Sequence, residues 1–316
     1  MDDQISEIVS VAEMEGALHL LFVDYQEGDA GNAVGAIYRT DGSRDPVLDC
    51  LLTTNDTLCW IWAAPDASLW AASANGNVWT NAKVKWPAPR QSDLDFQSLE
   101  QARSWSVTTL PDSRDEGHAP TLGVIWGTSD TDVFVAAGGG HIYQWNGKDW
   151  RQSHLAGGDI RAFAGTGPAD VYAVGEGGTL RHYDGQVWTA LQPPGDAVDD
   201  ETFTGCCIDS DGALLVCSQA GRLLRGTSAG LTVLATSDDL QFKGISLLDN
   251  RIMLAAGSAG VAEFNKKGFV IARDTFHAVS VFPAGGRLVF LDDSSELTYV
   301  EFKPSDKKMP WARIDF

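Results

Sequence analysis

Six histidines, five cysteines and 43 acidic side chains are the groups in this 316-residue chain with the means to do chemistry. The adjacent thiols Cys206 and Cys207 could form a redox pair or hold a metal. With Cys50, Cys59 and Cys217 they make an odd number without a regular framework, which reads as reduced thiols filling apolar strands. The histidines (His19, His118, His141, His154, His182 and His277) lack metal-ligand spacing, and no H-E-x-x-H or G-x-S-x-G motif occurs. Three consecutive glycines, Gly138, Gly139 and Gly140, resemble a phosphate cradle, but a strand-like run follows them where a cradle needs a helix N-terminus. The expectation is a chain with no catalytic residue, no metal and no cofactor.

The elements around those glycines repeat. IWGTSDTDVFVAAGGGHIYQWNGKDW (125–150) and FAGTGPADVYAVGEGGTLRHYDGQVW (163–188) match position for position. Gly140 falls on Gly178 and Trp150 on Trp188, and the same central glycine recurs as Gly76, Gly221 and Gly260. A period near 40 residues marks a repeat architecture. Each unit contains four short β-branched and aromatic runs bounded by Gly, Asp, Asn and Ser. In residues 120–155 these are 122–126, 133–137, 141–145 and a fourth starting at Asp149-Trp150. Only FQSLEQARSW (96–105) has a helical period.

Four strands per repeat of this length make the blade of a β-propeller. The pattern also resembles the degenerate W-G, D-V-aromatic, G-x-x-G and [DN]-G-x-x-W repeats of bacterial β-propeller proteins. The resemblance implies fold alone, because propellers host many functions. The prediction is all-β: one propeller domain spanning 1–316 with seven four-stranded blades. The blades run about 5–52, 56–111 with an insertion at 81–103, 120–157, 158–194, 201–237, 240–274 and 276–316. The end repeats are weaker, so six and eight blades stay open, as does an exchange that uses ISEIVSV as an outer strand of the last blade. In each blade the first strand should be innermost. Those strands offer mainly Arg161 and Lys243, with Glu7 and Glu13 at the ends of the first, which argues against a carboxylate pair or metal triad there.

The formal net charge is −20. Such a field repels nucleic-acid phosphates and anionic membranes and attracts cationic partners. No apolar run approaches the ~20 residues of a membrane-spanning helix. The acidic N-terminus lacks a secretory pattern, which predicts a cytoplasmic location. The loops joining second to third strands and blade to blade should emerge at one end of the sheets. They carry Asp24, Glu27, Asp29, Asp112, Asp115, Glu116, Asp196, Asp199, Asp200, Glu201, Asp238 and Asp239. The opposite end mixes its acids with lysines and arginines.

These residues predict a non-enzymatic, protein-binding propeller, as a monomer or within a hetero-complex, whose acidic end meets a partner with a basic surface. The specific expectation is an inhibitor of immunity-protein type that neutralises a basic bacterial toxin or effector. Two other readings stand beside it. One is a carbohydrate-binding propeller using the non-repeating aromatics Tyr25 and Trp86; the other is a scaffold or assembly factor.

Overall fold

The computed structural model describes residues 4–26, 29–43, 46–87, 103–111, 120–155, 157–194, 201–293 and 297–316, with the side chains of 29–32 set aside. Among these residues the chain forms seven four-stranded antiparallel sheets, as the repeat predicts. The first contains β1 (Gln4–Met14), β2 (Ala17–Gln26), β3 (Asp29–Thr40) and β4 (Asp49–Thr54). The second contains β5 (Leu58–Ala64), β6 (Ser68–Ser73), β7 (Asn77–Thr80) and β8 (Ser106–Thr109). The third contains β9 (Leu122–Ser129), β10 (Asp132–Ala137), β11 (His141–Trp145) and β12 (Trp150–His154). The fourth contains β13 (Ile160–Gly167), β14 (Asp170–Gly175), β15 (Leu180–Tyr183) and β16 (Trp188–Ala190). The fifth contains β17 (Phe203–Ile208), β18 (Leu214–Ser218), β19 (Arg222–Thr227) and β20 (Gly230–Thr236). The sixth contains β21 (Gly244–Leu248), β22 (Arg251–Ala255), β23 (Val261–Asn265) and β24 (Gly268–Arg273). The seventh contains β25 (Ala278–Ala284), β26 (Arg287–Asp292), β27 (Thr298–Phe302) and β28 (Trp311–Asp315).

The sheets fall into two compact units. One holds the first three sheets with Leu297 and the final residues Ile314–Phe316; the other holds the last four sheets up to Arg313. In the first unit β1 packs against β5 and β5 against β9; in the second β13, β17, β21 and β25 pack in series. First strands therefore neighbour first strands. Within each unit, apolar layers fill the space between successive sheets. Leu21, Ile37, Ile61, Leu69 and Trp79 form the layer between the first and second, and Trp70, Val78, Ile125, Val133 and Trp145 the next. Alternation along each strand supplies both layers at once, which is why the second strands are buried throughout in β6, β10 and β18.

The triple glycine is a turn between the second and third strands. Gly140 has φ +75°, and its counterparts Gly76, Gly178, Gly221 and Gly260 have φ of +82°, +66°, +77° and +82°. An L side chain rarely adopts this conformation, so glycine marks the turn in all five sheets. The alternative strand exchange is not adopted: β1 pairs with β2, and β28 forms the outer strand of the seventh sheet. Residues 88–102, most of the insertion and of the expected helix, lie outside the described residues. No described helix is long and apolar enough to cross a membrane.

Candidate partner-binding surface

The antiparallel order places first-strand starts, second-to-third turns and fourth-strand ends at the same end of each sheet. At this end the first sheet is longer than the second. Met14 opposite Ala17 corresponds to Ala64 opposite Ser68, and both hairpins carry an irregularity after the equivalent residues Ile8 and Leu58. The second hairpin stops at Leu58 opposite Ser73. The first continues through Glu7–Val23, Ser6–Asp24, Ile5–Tyr25 and Gln4–Gln26. Four extra pairs carry it about 13 Å further, at roughly 3.3 Å per residue. The acidic stretch beginning at Asp24 is thus strand for its first three residues. Cross-strand bonds hold it: Ser6 Oγ donates to Asp24, and the Tyr25 hydroxyl donates to Glu7 Oε1 at 2.6 Å. The bond to the Glu7 carboxylate, with a smaller contribution from burial, holds the Tyr25 phenol above its ordinary pKa. Glu7 remains exposed.

Several acids at this end serve the fold. Asp56 is fully buried and accepts from Ser73 Oγ (2.5 Å), Asn75 Nδ2 (2.9 Å), Asn77 Nδ2 (2.9 Å) and Trp79 Nε1 (2.7 Å). It ties the connector between sheets to the following turn. Glu176 pairs with Arg161, and Asp292 accepts from the His277 amide at 3.1 Å. Glu201 departs from the expectation of an exposed partner-facing acid. Its side chain is buried, with Oε2 3.4 Å from Arg222 Nη1, and its carbonyl accepts from the Gly178 amide at 2.7 Å. The expected acids that face solvent among the described residues are Asp238 and Asp239, joined by Glu7, Asp274 and Asp293.

Of the remaining expected residues, Asp24 is half-buried in the first hairpin. Asp29 begins β3, and its side chain is not described; Glu27, Asp112, Asp115, Glu116, Asp196, Asp199 and Asp200 lie outside the described residues. Trp86 is not the surface aromatic a sugar platform needs. It is 8% exposed, stacks on Trp150 at 6.1 Å, meets Trp70 and Trp145 edge-on, and donates to Ser106 Oγ at 3.1 Å. It seats the start of the insertion in the core between the second and third sheets. Tyr25 is half-buried beside Glu7 on the projecting hairpin.

The thiols and imidazoles have structural surroundings. Cys206 packs in the layer towards the fourth sheet and Cys207 in the layer towards the sixth, so the two adjacent thiols face opposite ways. Burial pushes Cys59 and Cys217 up to about 12 and raises Cys206 and Cys207 strongly, so all four are protonated thiols at neutral pH. His182 Nε2 lies 2.8 Å from Asp170 Oδ1, and His141 stacks on His154 with ring centroids 4.4 Å apart. No cluster of three or more metal-ligating side chains is formed among the described residues.

No family model matches the chain, and no curated protein matches it by sequence. Solved structures match by shape. Virginiamycin B lyase from Staphylococcus aureus superposes with a TM-score of 0.64 at 11% identity, covering 92% of this chain and 96% of that one. The WD40 β-propeller domain of Doa1 gives 0.61 at 12%, covering 92% and 90%. A chain of the Mitotic Checkpoint Complex gives 0.59 at 10%, covering 90% and 86%. At such low identity, the likeness to a lyase and to a WD40 domain shows architecture alone. The protein is an all-β, seven-bladed β-propeller.

Proposed function

We propose that this propeller binds another protein with a basic surface, through the sheet ends that carry the projecting first hairpin and the connectors between blades. One observation carries the reading. In the second unit the exposed acids Asp238, Asp239, Asp274 and Asp293 sit at this end of their sheets, and in the first unit Glu7 does so on the projecting hairpin, on a chain of net charge −20. Repeated positions build blades; unrepeated, charged connectors are where a binding site is added to a scaffold. A field of one sign speeds association with an oppositely charged partner and rejects like-charged ones. Similar propellers occur in protein assemblies, as with the chain of the Mitotic Checkpoint Complex, which supports a protein as the ligand.

In its finer form the proposal is an inhibitor of immunity-protein type. The acidic end covers the cationic substrate cleft of a basic toxin or effector and excludes its anionic substrate. The test is to capture the partner from native cells on the immobilised propeller, elute with a salt gradient, and repeat with Glu7→Lys, Asp238→Lys and Asp239→Lys combined. The proposal expects a single basic protein that elutes early from the variant. An unchanged elution profile would overturn the acidic-end reading, and a multi-subunit complex in the eluate would favour an assembly role.

A further inference from the structure

Outer strands are the exposed edges of a propeller, and five of the seven here offer a poor template for another strand. Strands β8 and β16 are four and three residues long. Strands β4, β12 and β28 carry the charges Asp49, Arg151, and Arg313 with Asp315. Charge and brevity are the usual guards of an open edge. Strand β20 lacks both, and β24 carries a charge only at its last residue, Arg273. Val233 and Leu234 are each 40% exposed, and Val270 and Ile271 are 41% and 42% exposed.

The two open edges differ in their flanks. Strand β24 follows Lys266 and Lys267 and ends at Arg273. Strand β20, GLTVLAT, has no charge along its length and runs into the exposed pair Asp238 and Asp239. Its outer edge pairs with nothing among the described residues. A single irregularity at Leu234 interrupts its register with β19, where Leu223 pairs with Ala235 and Leu224 with Val233. A second copy of this chain would bring its own net charge of −20 to the same edge, which disfavours self-pairing.

We propose that the edge of β20 accepts one antiparallel strand from an extended, basic segment of a partner protein. The order of charges follows from direction. An antiparallel guest begins opposite Thr236, so basic residues preceding its apolar run lie against Asp238 and Asp239. Backbone hydrogen bonds supply the attachment, and Val233 and Leu234 supply apolar contact for alternate guest side chains. The inference rests on the protein-binding reading and adds a second contact at the blade's outer edge.

The probe is the fluorescein-labelled heptapeptide Lys-Lys-Thr-Val-Thr-Val-Thr, with Glu-Glu-Thr-Val-Thr-Val-Thr as its charge-reversed control. Affinity is read by anisotropy, and backbone amide exchange is read across the fifth sheet. At saturating peptide, exchange at 232–236 slows by about tenfold or more while β17 and β18 stay unchanged. The control peptide and the Asp238→Lys, Asp239→Lys variant each bind about tenfold more weakly. Leu234→Pro removes binding; Val233→Lys, which keeps the strand and only guards its edge, removes it as well. No protection of 232–236 at millimolar peptide, or full affinity in Val233→Lys, overturns the proposal. Failure here leaves the acidic-end reading standing, since that reading is tested by partner capture with Glu7, Asp238 and Asp239 reversed.

Discussion

His19 is the least comfortable titratable group in the first sheet. It sits on β2 between Ala12 of β1 and Arg39 of β3, is 1% exposed, and neither ring nitrogen has a well-formed hydrogen bond. Burial, and then the Arg39 charge, lower its pKa below 6.5, against weaker raising effects of the Ala17 carbonyl and Glu13. The folded chain therefore keeps the imidazole neutral where the unfolded chain protonates it. Stability is whole above pH 6.5 and declines below it, by up to about 1.4 kcal/mol per pH unit for one proton, until the folded-state pKa is reached. Denaturant midpoints of wild type and His19→Leu between pH 7.5 and 5 check this: the variant loses that share of the slope, and identical slopes would contradict it. Arg287 and Glu301 form a second buried pair, Nη1 to Oε1 at 2.7 Å, both about nine-tenths buried. Burial raises the Glu301 pKa despite the opposing pull of Arg287. Removing one partner strands the other charge, so Arg287→Ala is expected to cost about 3–5 kcal/mol, measured by urea unfolding. The Arg287→Met, Glu301→Leu double variant recovers most of it.

At the scale of the element, two recurring features hold blades in register, one present in five sheets and the other in three. The first is the left-handed glycine between second and third strands. A Cβ on Gly260 would lie 2.1 Å from the Arg273 carbonyl oxygen, and one on Gly221 would lie 2.1 Å from that of Ser237. Backbone strain and overlap with main chain act together, so Gly260→Ala is expected to lose at least about 1–3 kcal/mol, read as a lowered thermal midpoint. Alanine at Gly138, whose added Cβ meets nothing within 4 Å, is the neutral control. The second feature is a polar pair joining the start of the second strand to the third strand twelve residues on: Asp132 with Gln144, Asp170 with His182, and Arg251 with Glu263. Each is a diagonal cross-strand contact, since Phe134, Tyr172 and Met253 lie directly opposite those third-strand residues. Chemistry varies while geometry is kept, so the pairing is invisible to a search for repeated residue types. Arg251→Glu is expected to destabilise the sixth sheet, and Arg251→Glu with Glu263→Arg to restore it.

At the scale of the whole molecule, what was legible in the residues was what is local. Strand runs, turn glycines and a period near 40 are properties of neighbours in sequence, and they were enough for seven four-stranded sheets. The misreadings came from partners far along the chain. Asp24-Tyr25 looks like the start of a turn until Ser6 and Glu7 bond to it across 18 residues. Glu201 looks like one more loop acid until Arg222 is placed beside it. Trp86, unrepeated and set among lysines and prolines, looks exposed until Trp70, Trp145 and Trp150 surround it. These corrections narrow the acidic surface to the acids that face solvent, and the account stands on their charge. The most direct test is the association rate of the captured partner with wild type and with the Glu7→Lys, Asp238→Lys, Asp239→Lys variant, measured from about 50 to 500 mM salt. The account predicts that reversal slows association by about tenfold or more at low salt, that the difference closes at high salt, and that dissociation changes little. Equal association rates for the two proteins at low salt would contradict it.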